Sequence, residues 1–263
     1  MVQTDLLDRT VAAIAARARW FLLAEEVPQR TGFLQAVTPA VKLVGIFALV
    51  TVTVLKREFA TVAGLVAVAV VLAACSRVPA RAFAGRLAGP PAMALIVVAP
   101  QAVLMGGPTV PGLPLSSAGV AYVAMFTTRV AACVGFLSLL LLTTRFVDVL
   151  GAIRRLRAPA IAVSLLAITY RYLLLFFAEL ERMVRARQSR TIREPALRRT
   201  WRDSGNFLGT FLLRSLERGE RVERAARARG GAGPMPRPSA RAVGVADLAF
   251  ILIVVVSVWV VIA

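Results

Sequence analysis

Histidine is absent from this 263-residue chain, and lysine occurs only as Lys42 and Lys56. The missing imidazole removes the commonest general base, the commonest metal ligand and the central member of nucleophilic triads. Neither lysine lies in a Gly-x-x-x-x-Gly-Lys-Ser/Thr run, which excludes nucleotide binding through a P-loop. Cysteine is limited to Cys75 and Cys133, both within apolar stretches, where small buried hydrophobes are expected rather than a disulfide or metal pair. Acidic residues avoid the apolar runs, apart from Asp247 at the edge of the last one. Proton-driven carriers hold carboxylates or histidines at membrane depth, so a self-sufficient secondary transporter is disfavoured. No catalytic residue, metal ligand or cofactor is expected.

What is present is apolar surface and arginine. The chain is 58% hydrophobic with a mean hydropathy of +0.74, yet carries a net charge of +18. Those values coexist only when apolar and charged residues are segregated along the sequence. No charged residue falls between Leu87 and Thr128. Between Arg145 and Arg241 stand 21 arginines, no lysine and eight acids, a net of +13.

A membrane-spanning helix takes roughly 17–25 largely apolar residues. Five stretches qualify or nearly do: Pro39–Leu55, Phe59–Cys75, Pro90–Met105, Ala118–Thr144 and Ala246–Ala263, the first three being short. The predicted fold is therefore all-α and polytopic, with about five transmembrane helices. Its expected divisions are an interfacial segment 1–38, four spans over 39–144, a cytoplasmic helical region 145–241 and a final span 242–263. The apolar run Ala158–Phe177 is interrupted by Thr169, Tyr170, Arg171 and Tyr172. A lipid-facing guanidinium there is costly, so a buried helix outside the bilayer core is expected. Arg129, near the start of the fourth span, is expected to snorkel to the outer interface.

Arginine placement orients the spans. Setting the arginine block inside puts the loop with Arg77, Arg81 and Arg86 inside, the proline loop 106–117 outside and the N-terminus in the cytoplasm. Only Lys56 and Arg57 fall on the wrong side. Met1–Thr38 carries Asp5, Asp8, Glu25 and Glu26 and no adequate apolar core, unlike a signal peptide. Leu6, Leu7, Val11, Ile14 and Ala15 fit either an interfacial amphipathic helix or an ordinary packing helix.

Three helices can be drawn in the arginine block: Val147–Leu156, Ala160 to Gln188 and Trp201 to Arg229. The two long ones are apolar first and charged later. Glu217–Arg221, Glu220–Arg224 and Glu223–Arg227 are acid-before-base pairs four apart, each worth a few tenths of a kcal/mol. Both end alike, one in Arg185-Ala186-Arg187-Gln188 and the other in Arg227-Ala228-Arg229-Gly230. Cations suit the last turn of a helix, Gly230 and Gly231 supply a left-handed cap, and Pro234, Pro236 and Pro238 prevent resumption.

Three other functions fit a basic membrane protein. A membrane-anchored nucleic-acid binder is disfavoured because the block is periodic, interspersed with acids and holds one Trp, Trp201. A scaffold whose arginines bind anionic lipid fits as a secondary role. A lipid-modifying enzyme is disfavoured by the missing histidine and carboxylate cluster.

Particular runs resemble the transmembrane coupling component of energy-coupling factor transporters. They are Thr169-Tyr170-Arg171-Tyr172, Glu179 to Arg182, Arg185-Ala186-Arg187, Arg214-Ser215-Leu216-Glu217-Arg218 and Ala226 to Gly230. Thr38-Pro39-Ala40-Val41-Lys42-Leu43 resembles the start of the family's first span. Val149-Leu150 to Arg155-Leu156, with Ala158-Pro159, resembles its first coupling helix. The similarity covers most of Thr38–Gly230 and is greatest to the CbiQ-type subgroup, which serves cobalt or nickel uptake.

The resemblance implies a non-catalytic subunit of the bacterial inner membrane. Its implied partners are two ATPase subunits and a CbiM-like substrate-binding membrane subunit, with lipid around it and no nucleic acid. It implies that Arg187 and Arg229 dock in the ATPases, within Ala186-Arg187-Gln188 and Ala228-Arg229-Gly230, supported by Arg185, Arg227 and Arg171. Two departures are visible: Arg227 where methionine is frequent, and Gly231 where an aromatic is common.

Overall fold

A computed structural model describes residues 32–106, 108, 116–190, 197–231 and 244–262, with the backbone alone at 174, 187, 188, 190, 197–202 and 262. The expected N-terminal helix, the body of the proline loop and the prolines at 234, 236 and 238 lie outside the described residues. Among the described residues the structure is helical, without a β-strand. The chain forms two compact units, one running to Arg157 and including the last helix, the other running from Ala158 through the two long helices.

In the first unit α1 is the short turn Phe33–Ala36, followed by α2 (Pro39–Leu55), α3 (Phe59–Cys75), α4 (Ala80–Val98), α5 (Gln101–Leu104), α6 (Ser117–Thr143), α7 (Phe146–Arg155) and α10 (Val245–Ile262). Pro39 occupies the first turn of α2, where its missing N–H breaks no helical bond. Helix α6 is the hub, packing against α2, α3, α4 and α5, while α10 returns onto α2. Leu49, Leu65, Phe136, Leu139 and Phe250 are buried in this core. A Cβ on Gly45 would come within 2.5 Å of the Phe250 ring, so glycine lets α2 and α10 approach closely.

The outer surface is apolar instead of polar. Phe47, Ile96, Leu104 and Trp259 are each 69–75% exposed, while Lys42, on the helix of Phe47, and Asp247, on that of Trp259, are buried. That inversion suits lipid as the surrounding solvent. Continuous runs long and apolar enough to cross a bilayer are Ala80–Leu104, Ser117–Thr143 and Ala160–Ala186, with shorter apolar helices at Pro39–Leu55, Phe59–Cys75 and Val245–Val261. A 17-residue helix is about 25 Å long, near the thickness of the hydrocarbon layer.

Several expectations change. The third span begins ten residues early, because α4 starts at Ala80 and runs through Pro90 and Pro91; Arg81 and Arg86 are thus helical, not in a loop. Cys75 is exposed among apolar neighbours, because its face of α3 points outward. Arg129 does not snorkel freely: its guanidinium donates to the Lys56 carbonyl at 2.6 Å. The end of α2 lies beside Arg129, and the negative end of a helix attracts a cation.

The second unit contains α8 (Ala160–Arg190) and α9 (Leu197–Ala228). The first half of α8 is not the buried helix expected. Ile161, Leu165, Leu166 and Ile168 are all exposed, as is Arg171. Apolar length with outward-facing side chains places this segment among the helices able to cross a bilayer.

Candidate functional site

Helix α9 reaches its arginine end by a sequence-specified turn. Alanine, arginine and glutamate sustain the helix, and the acid-before-base ladder forms as expected. Arg221 lies 3.7 Å from Glu217, Arg224 lies 3.7 Å from Glu220, and Arg227 pairs with Glu223. Gly230 then takes the left-handed conformation, with φ +73°. The Gly231 amide donates to the Ala226 carbonyl at 2.8 Å and the Gly230 amide to the Arg227 carbonyl at 3.0 Å. These two bonds form a Schellman turn, which satisfies carbonyls left open at a helix end.

Arg229 is the capping residue of that turn. It is exposed, and its side chain, unlike its amide, has no hydrogen-bond or ion-pair partner among the described residues. Arg221, Arg224 and Arg227, which precede it, are each paired with an acid of their own helix, so in these last described turns the final guanidinium is the one left available. Arginine suits a docking role because its planar fork can engage carboxylates or carbonyls with two bonds at once. The departure at position 231 also has a cause. A Cβ there would lie 2.4 Å from the Ala226 carbonyl oxygen, so this turn excludes any larger residue.

The other arginine end is built less sharply. Helix α8 continues through Arg187 and Gln188 to Arg190, two residues beyond the expected stop. Arg185 pairs with Glu181, Ala186 is exposed, and Ser189 donates to the Ala186 carbonyl at 3.0 Å. The side chains of Arg187 and Gln188 lie outside the described ones. Arg171, named as supporting, stands well back on α8 and has no partner among the described residues.

The two long helices meet between those ends. Phe176 of α8 contacts Phe211 of α9 edge to face, with ring centroids 6.1 Å apart. Beside it Glu179 lies 3.4 Å from Arg214 and 3.9 Å from Arg218, both of α9, and also pairs with Arg182. Sequence reasoning identified Glu179 only as part of a motif, because pairing across 35 residues has no local signature.

A second polar group was missed for the same reason. The Asp247 carboxylate accepts from the Thr38 amide at 2.6 Å, the Thr38 hydroxyl at 2.8 Å and the Gly244 amide at 2.9 Å. Lys42 donates to the Thr143 carbonyl at 3.2 Å and the Thr144 hydroxyl at 2.9 Å. Both charged side chains are only 1% exposed. Together these bonds tie the start of α2 to the start of α10 and the end of α6, where α7 departs. A buried charge needs such partners.

The chain as a whole is similar to known proteins. The family of cobalt transport proteins CbiQ matches residues 31–240, most of the chain. The chain is 29% identical over 229 residues to the cobalt transport protein CbiQ of Rhodobacter capsulatus, covering 86% of each sequence. It is 24% identical over 260 residues to an uncharacterised protein of Methanocaldococcus jannaschii, covering 95% of this chain and 89% of that one. The apolar helical architecture agrees with a transporter, and the chain belongs to the CbiQ family of cobalt transport proteins, as a multi-pass membrane protein.

Proposed function

We propose that this cobalt-transport membrane protein is the coupling subunit of an ATP-driven uptake transporter. In this reading two ATPase subunits bind the ends of α8 and α9 through Arg187 and Arg229. A separate membrane subunit recognises the ion, cobalt or nickel, since this chain has no histidine and little soft-ligand chemistry to offer. The chain itself is non-catalytic: ATP is hydrolysed next door, and the helices convey the resulting displacement. With α8 lying along the membrane instead of crossing it, the arginine ends face the cytoplasm of a bacterial inner membrane, with the N-terminus on the same side.

The observation that carries this reading is the construction of the α9 end. A Schellman turn presents Arg229 alone, exposed and unpaired, just beyond a ladder of paired arginines. The test is the double variant Arg187→Ala and Arg229→Ala, with Arg224→Ala as the control. The ATPases should fail to copurify with the double variant and cobalt uptake should be lost, while the control retains both. Unchanged copurification and uptake in the double variant would refute the assignment.

A further inference from the structure

Between the two arginine ends, one carboxylate serves both long helices. Glu217, Glu220 and Glu223 are 60–71% exposed, and each is matched to an arginine one turn further along α9. The Glu179 side chain is only 19% exposed and collects guanidiniums from two helices: Arg182 from its own, Arg214 and Arg218 from α9. Partial burial weakens solvent screening, so this cluster is held more strongly than the outer ladder. The Phe176–Phe211 contact lies directly alongside and supplies the apolar half of the junction.

We propose that Glu179 is a positioning residue that pins α8 to α9, so that displacement at one arginine end is passed to the other. The inference rests on the coupling role proposed above. Helical rise puts the pin about 12 Å from Arg187 and about 22 Å from Arg229 along the respective helices. A junction so placed converts two independently mobile rods into one lever. Without the carboxylate, Arg182, Arg214 and Arg218 are left as neighbouring like charges, and electrostatics then drives the helices apart.

The test uses the complete transporter reconstituted in liposomes, measuring ion uptake per ATP hydrolysed. Glu179→Gln keeps the shape and removes the charge. It should leave the ATPases bound and hydrolysing while uptake per ATP falls by roughly fivefold, the lower end of the range for coupling between sites. Glu179→Asp should recover part of that loss. A residue that served only to stabilise the fold would change the yield of complex but not this ratio.

A second arm restores the junction covalently. Glu179→Cys with Arg214→Cys, in a chain with Cys75→Ala and Cys133→Ala, is bridged by a short bis-maleimide. Bridging should raise uptake per ATP above that of the unbridged pair. If Glu179→Gln does not assemble, recovery on bridging decides for the pin and its absence decides against it. An unchanged ratio in Glu179→Gln overturns the pin. Failure of the unsubstituted chain to bind ATPases would instead refute the coupling role, which separates the two results.

Discussion

Arg229 and Arg224 differ by five positions and have the same side chain, yet only one is free. The difference comes from Glu220, one turn before Arg224, and from the turn at Gly230 that ends the helix just after Arg229. Position 231 controls that presentation. In Gly231→Ala the new methyl group would meet the Ala226 carbonyl at 2.4 Å, opening the Schellman turn. The expected cost to the α9 end is on the order of 1 kcal/mol. ATPase affinity should weaken several-fold, measured by titration against the reconstituted subunit, with the melting temperature of the membrane unit unchanged. An unaltered affinity would mean that the turn does not position Arg229. The paired arginines of the ladder were readable from spacing alone, because partners four apart on a helix are neighbours whatever the tertiary fold.

At the scale of elements, polar anchors hold apolar helices in register. Leucine and valine specify that α2 and α10 prefer a bilayer, but they do not specify which helices adjoin or at what level. Asp247 supplies that information by accepting three hydrogen bonds, two from Thr38 at the start of α2 and one from Gly244 before α10. In Asp247→Ala the Thr38 amide and hydroxyl lose their acceptor inside the protein. The expected destabilisation is about 2–3 kcal/mol, seen as a lower melting temperature in detergent. Asp247→Asn retains an acceptor and should lose less. Equal melting of all three forms would contradict the anchor. The sequence showed Asp247 only as a lone acid at a span edge, since its partner Thr38 lies 209 residues away. Gly45 is a parallel case: its need for glycine becomes apparent only with the Phe250 ring against it.

For the whole molecule, orientation is the consequence most directly measurable. In the orientation proposed above, the arginine-rich segment stays on the cytoplasmic side during insertion and the charge-free loop crosses. A single cysteine at Gly106, in a chain with Cys75 and Cys133 replaced, should react with a membrane-impermeant maleimide added to intact cells. One at Glu223 should react only after the membrane is opened. The reverse pattern would invert the topology and remove the arginine ends from any cytoplasmic ATPase. The first half of α8 belongs to this scale as well. Its apolar side chains face outward, so their cover must come from lipid or from another subunit.

Composition and periodicity by themselves determined the class: an all-α membrane protein, its apolar helices, the amphipathic arginine segment and the two Ala-Arg ends. Each of these follows from the order of neighbouring residues, through hydropathy, helical spacing and local capping. Tertiary structure decided what depends on distant pairs. It set the attachment of Asp247 to Thr38 and of Lys42 to the end of α6, the hold of Arg129 on the Lys56 carbonyl, and the convergence of three arginines on Glu179. The physical reason is that a charge or hydrogen-bonding group advertises its type in sequence but not its partner. In an apolar surrounding it must have one, and only the packed chain determines which.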